Sequence, residues 1–109
     1  MLPAVDRAYI EPAKVRDYLL SATHPVGRFK AVVFEALGYN VEDWAKLRDD
    51  LLSLARTMEA IPGQTSAFGQ KYEVSGTLRG PNGREARFTS VWLVPIGEAP
   101  PRFITAFPG

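Results

Sequence analysis

The spacing of hydrophobic positions changes near residue 60: before it apolar residues recur every three or four positions, and after Gln70 they alternate with polar ones. Pro12 suits a first helical turn, and Val15, Tyr18 and Leu19 then form one apolar stripe, so a short helix is predicted over 12–21. Pro25 can open a second helix. There Phe29, Val32, Val33, Ala36 and Leu37 are expected on the buried face, with Gly38 as the left-handed stop. Lys30 and Phe34 lie off that stripe, one turn apart, which makes their face a further packing surface. Asn40 is an N-cap, with Asp43 three residues later, for a third helix. Trp44, Leu47, Leu51, Leu54 and Met58 carry its stripe, and Glu42, Lys46, Asp49, Asp50 and Arg56 its solvated face.

From Ile61 to Gly69 no helical period survives, and the segment reads as a linker over 61–69. Tyr72, Val74, Gly76 and Leu78 then alternate with Lys71, Glu73, Ser75, Thr77 and Arg79, the pattern of a strand with one covered face. Gly80-Pro81-Asn82-Gly83 predicts a tight turn, and Phe88 to Val94 its hairpin partner. Arg102 to Phe107 reads as a last strand ended by Pro108, with Thr105 sharing a face with Phe103 and Phe107. Trp92 reads as core. The expected fold is α+β: about three N-terminal helices (about 12–58) packed on a three- to four-stranded antiparallel sheet (about 70–108), in one domain over 1–109. If the helices cover the Tyr72 and Val74 side, the Lys71, Glu73, Ser75, Thr77 and Arg79 side is left as a wet face or a binding surface.

Composition narrows the chemistry more than the fold. The chain has no cysteine and one histidine, which removes disulfides, thiolate catalysis and cysteine-bound zinc, and no metal or cofactor site is expected. The apolar runs, such as Ala31 to Phe34, are far too short to cross a membrane. Asp6, Arg7, Glu11, Lys14, Arg16 and Asp17 interrupt any signal-peptide core, so a cytoplasmic location is the expectation. A net charge of +1 argues against a global basic stripe. Any nucleic acid would be held at a local cleft.

His24 is the one side chain that titrates near neutral pH by default, and it stands at the junction of the first two helices with Arg28 and Lys30 close behind. A helix start followed by cations suits a phosphate or a developing oxyanion. The same position suits a residue that caps the second helix, and both readings stay open. The carboxylate pairs Glu42-Asp43 and Asp49-Asp50 fall on the solvated helix face, and the glycines of the turn lead into a strand where a phosphate loop needs a helix.

His24-Pro25, Gly27-Arg28, Lys30-Ala31, Phe34 and Gly38, followed by Gly80-Pro81-Asn82-Gly83, Val91-Trp92 and Arg102 to Pro108 (RFITAFP), together resemble a family of uncharacterised bacterial domains of about this length. The layout of helices before an antiparallel sheet is similar to the barnase, colicin and RelE-like ribonuclease toxins, whose members often act beside a small neutralising protein. That resemblance implies a metal-independent endoribonuclease of toxin–antitoxin type acting on RNA. In it His24 is base or acid, Lys30 and Arg28 stabilise phosphate charge, Thr105 orients the phosphate, and Arg79 and Arg102 add substrate contacts. The alternative from a different class is a non-catalytic protein-binding or adaptor module, in which the His24 to Ala31 string is only a helix junction.

Overall fold

The computed structural model describes residues 2–97 and 99–109. A 3₁₀ turn, Val5–Arg7, precedes α1 (Pro12–Lys14), which widens into a π-helical turn over Val15–Leu19. The expected 12–21 helix is therefore one α turn and one wider turn. The Leu20 amide reaches back to the Val15 carbonyl at 2.9 Å. The wider turn buries Val15 and Leu19 in the core and leaves Tyr18 half-buried.

Helix α2 (Gly27–Ala36) buries a face that is only partly the one its apolar residues suggested: Val33 packs against the core and Leu37, just after the helix, is buried as expected. Gly27, Ala31 and Phe34 point inward, while Phe29 and Val32 are 66% and 68% exposed. The cause is local: the first turn of α2 lies against the preceding segment, and a Cβ at Gly27 would overlap the Tyr18 carbonyl. That close approach sets the rotation of α2 about its axis. It drives Phe34 into the core, stacked on Phe88 with ring centroids 4.7 Å apart. Gly38 ends the helix at φ 95°. The Asn82 amide and side chain donate to the carbonyls of Leu37 and Ala36, so the Gly80–Gly83 turn docks on the end of α2.

Asn40 caps the next element as expected, accepting the Asp43 amide at 2.9 Å. After a 3₁₀ turn over Val41–Asp43, α3 (Trp44–Thr57) buries Leu47, Leu51 and Ala55. The sheet is fully antiparallel in the order β1 (Ala60–Ser66), β2 (Gly69–Arg79), β3 (Glu85–Pro95), β4 (Arg102–Pro108). β1 corrects the linker expected over 61–69. Its residues beyond Ala60 are exposed on both faces, so no hydrophobic period marks it, and it is held by pairing with β2 from Ala60↔Val74 to Ser66↔Gly69. Pro62 is tolerated because this is an edge strand.

The helices cover the Val74, Leu78, Phe88, Ser90 and Trp92 side of the sheet. Trp92 is fully buried, donates to Ser90 Oγ at 2.9 Å, and meets Phe103 edge to face. Thr105 does not share the face of Phe103. The β3–β4 register runs Val91↔Thr105 and then Trp92↔Phe103, which leaves Ile104 as the extra residue of a bulge. The bulge turns Thr105 to the open side of β4 while Phe103 and Ala106 stay in the core. Tyr9 adds a parallel bridge beside Arg102, covering the start of this edge.

Candidate functional site

At the end of β4 that the N-terminal segment leaves open, α1, its π turn and the loop before α2 form a cavity of about 650 Å³ with β4. Glu11, Lys14, Tyr18, His24, Ile104 and Thr105 are among its walls. Each comes from a feature that aims it: the wide turn presents Tyr18, the bulge presents Ile104 and Thr105, and the corner before α2 presents His24.

Thr105 Oγ1 is the hub. Lys30 Nζ donates to it at 2.7 Å and to the Ala106 carbonyl at 2.9 Å. The Tyr18 hydroxyl lies 3.0 Å from the same oxygen. A lysine ammonium only donates, so Thr105 Oγ1 accepts from Lys30 and keeps its own proton to share with Tyr18. Besides its bonds to Thr105 and Ala106, the Lys30 ammonium hydrogen-bonds the Tyr18 phenol, so its charge sits within the cluster. The same ammonium lies 5.4 Å from the Tyr18 ring centre and 6.0 Å from that of Phe107. Burial pushes the Tyr18 phenol upward, but the Thr105 hydrogen bond and the positive charges of Lys30 and Lys14 outweigh it and hold the phenol below its ordinary value.

His24 sits edge-on to Tyr18, with ring centroids 4.9 Å apart. Its Nδ1 accepts the amides of Val26 and Gly27, each at 3.0 Å. Nδ1 is thus an acceptor for two N–H groups at the start of α2, and the ring proton resides on Nε2. In that state His24 caps the helix and offers Nε2–H as a donor. The corner itself is fixed by Ser21 Oγ, which accepts the amides of Thr23 and His24.

The structure therefore brings His24, Lys30 and Thr105 together around Tyr18. The three arginines expected to bind substrate lie elsewhere. Arg28 points to the outer side of α2, its guanidinium 4.8 Å over the Phe29 ring. Arg79 pairs with Glu85 at the far end of the sheet, six residues along β3 from the partner of Thr105, or roughly 20 Å. Arg102 lines a separate cavity across Ile104 from the site. Sequence reasoning missed Tyr18, Lys14 and Glu11. Tyr18 reads as one more residue of an apolar stripe, and its half-buried position on the wide turn is what marks it. Among the described residues, no three histidine or carboxylate side chains gather where they could hold a metal, and no helix is long and apolar enough to cross a membrane.

The sequence matches, over residues 1–109, a family described as "Domain of unknown function (DUF6883)". None of the curated proteins matches it. Among solved structures it is similar to a chain of a contact-dependent growth inhibition toxin–immunity protein complex from Klebsiella pneumoniae 342. The TM-score is 0.74 at 19% identity, covering 93% of this chain and 99% of that one, a likeness of fold.

Proposed function

We propose that this chain, which belongs to the DUF6883 family, is a metal-independent ribonuclease-like effector whose reacting groups are Tyr18, Lys30, Thr105 and His24. The observation that carries the reading is the Tyr18–Thr105–Lys30 hydrogen-bonded cluster, open to a cavity and flanked by the Nε2–H of His24. The likeness of fold to a chain from a toxin–immunity complex supports it.

RNA cleavage without a metal needs a proton acceptor for the 2′-hydroxyl, positive or donating groups for the phosphorane, and a proton donor for the leaving oxygen. Tyr18 Oη, its phenolate form favoured by Lys30 and Thr105, takes the 2′ proton while the 2′-oxygen bonds to phosphorus. The positive charge of Lys30 and the Nε2–H of His24 stabilise the nonbridging oxygens. The bond from phosphorus to the 5′-oxygen breaks, and the Lys30 ammonium supplies the proton that oxygen takes up. The cycle closes when the Tyr18 phenol returns its proton to Lys30 through the Thr105 hydroxyl, along the two hydrogen bonds already in place. His24 acts as a donor, because its other nitrogen is committed to α2.

End-group analysis tests this chemistry. Total RNA incubated with the protein in EDTA should yield fragments ending in 2′,3′-cyclic phosphate. Ends that carry 3′-hydroxyl and 5′-phosphate would reject the assignment, because they require water, not the 2′-oxygen, as the nucleophile.

A second reading, a non-catalytic module that binds a small protein, is favoured by the exposure of Val26, which lines the cavity just before α2, and of Phe29 and Val32 along the helix. Phe29→Glu separates the two. It disrupts that apolar stripe, and under the ribonuclease reading it leaves RNA cleavage unchanged.

A further inference from the structure

On the outer face of the sheet, β2, β3 and β4 place Lys71, Leu93 and Arg102 side by side in one row, since Lys71 pairs with Leu93 and Leu93 with Arg102. Neighbouring strands lie about 4.8 Å apart, so the two cations flank the leucine at roughly 10 Å from each other. Leu93 is buried and floors a cavity of about 380 Å³ whose walls include Thr65, Phe68, Lys71, Arg102 and Ile104. Among the described residues neither Lys71 nor Arg102 forms an ion pair.

Phe68 is 75% exposed, yet its backbone is fixed: its amide donates to Ser66 Oγ at 3.1 Å and its carbonyl accepts the Ile96 amide at 3.1 Å. Gly69 behind it takes φ 148°, and a Cβ there would overlap the Val94 carbonyl. An aromatic ring held out into water on a pinned hairpin, beside two cations, is a preorganised platform for a planar, anionic ligand.

Position says which ligand. The row of Lys71, Leu93 and Arg102 is followed on the same face by the row of Glu73, Val91 and Thr105, about 7 Å further along β3. Ile104 forms a wall of both cavities and is the ridge between them. One nucleotide of an extended strand covers that step. The Glu73 carboxylate repels a phosphate chain on the β2 side, which leaves the path along β4 from Arg102 to the Lys30–Thr105 pair.

We propose that this second cavity is a nucleotide subsite for single-stranded RNA, adjacent to the reacting phosphate, with Phe68 stacking the base and Arg102 and Lys71 holding the phosphate. It deepens the ribonuclease reading above and rests on that reading for its direction.

The test is equilibrium binding of a fluorescent 2′-O-methyl RNA tetranucleotide of mixed sequence, which cannot be cleaved through its 2′-oxygen, with a single 3′-nucleotide as comparison. Phe68→Ala should weaken tetranucleotide binding by roughly tenfold or more and leave the mononucleotide unchanged. Arg102→Gln should also weaken it and reduce the slope of log K against log salt by about 0.7, one phosphate contact fewer on a single strand. Both side chains are exposed, and circular dichroism checks that each variant folds. Binding that falls in both variants supports the subsite even if the wild type cleaves no RNA, an outcome that would reject the reaction alone. Wild-type binding unaffected by either substitution, or no tetranucleotide binding at all, overturns the subsite and leaves Phe68 and Ile96 as an apolar contact for a protein.

Discussion

Lys30 Nζ lies 2.7 Å from Thr105 Oγ1, a contact between side chains 75 positions apart in sequence. It ties the first turn of α2 to the bulged edge of β4, and it places a cation beside the phenol of Tyr18. Chemistry and packing meet in this one contact.

Tyr18 and Tyr39 should titrate in opposite directions. Against its own burial, the Thr105 and Lys30 hydrogen bonds and the Lys30 and Lys14 charges lower Tyr18, so its phenolate should form well before that of Tyr39. Burial and the Asp50 carboxylate, 2.6 Å from its hydroxyl, push Tyr39 far up. For stability the signs follow from proton uptake. The Tyr18 contribution is present above the ordinary phenol value and is lost as pH falls through its folded one, whereas the Tyr39 contribution is present below the ordinary value and fades as pH rises past it. Lys30→Met should move the Tyr18 phenolate step upward in a near-ultraviolet titration. An unmoved step would show that Lys30 does not act on Tyr18.

His24 carries two roles that substitution can separate. His24→Ala removes the acceptor of two α2 amides and should cost about 0.5 to 2 kcal/mol in urea unfolding. His24→Asn keeps a capping acceptor and should recover most of that stability without recovering cleavage. If Asn restores both, the ring donor has no part in the reaction.

Gly27→Ala should damage the site without touching any side chain in it. The added methyl meets the Tyr18 carbonyl, so α2 must shift or turn, at about 1 to 3 kcal/mol, and Lys30 moves with it. Return of Tyr18 to an ordinary titration, together with the lower unfolding midpoint, is the expected pair of results. A loss of stability with Tyr18 unchanged would show that the helix absorbs the clash elsewhere.

Much of this was legible in the sequence and some was not, for physical reasons. The change of period marked helices before sheet, Asn40 and Gly38 marked helix ends, and the Gly80–Gly83 turn marked the β2–β3 hairpin. β1 was hidden because an exposed edge strand needs only backbone pairing, which leaves no apolar pattern. The face of α2 was partly misread because Gly27 set its rotation through a tertiary contact, so Phe29 and Val32 went outside and Phe34 went in. At the site, His24 and Lys30 could be singled out by type and position, and Thr105 through the resemblance to ribonuclease toxins. Tyr18 could not, because its importance comes from a wide turn and a bulge that meet only in the folded chain. Arg79 looked equivalent to Arg102 until the register separated them along the sheet.

Leu51 anchors α3 with no exposed surface. Leu51→Ala should cost about 2 to 5 kcal/mol. An unchanged urea midpoint would place α3 outside the cooperative core, and with it the covering of the sheet face opposite the proposed RNA path.

The most direct test compares wild type with Lys30→Met, at equal folded concentration, for the rate of RNA cleavage in EDTA after any bound inhibitor has been removed. The account predicts cleavage by the wild type and a fall of roughly 100-fold or more in the variant, the scale of a lost acid–base group. No cleavage by the wild type at micromolar protein, or equal rates for the two proteins, would contradict it.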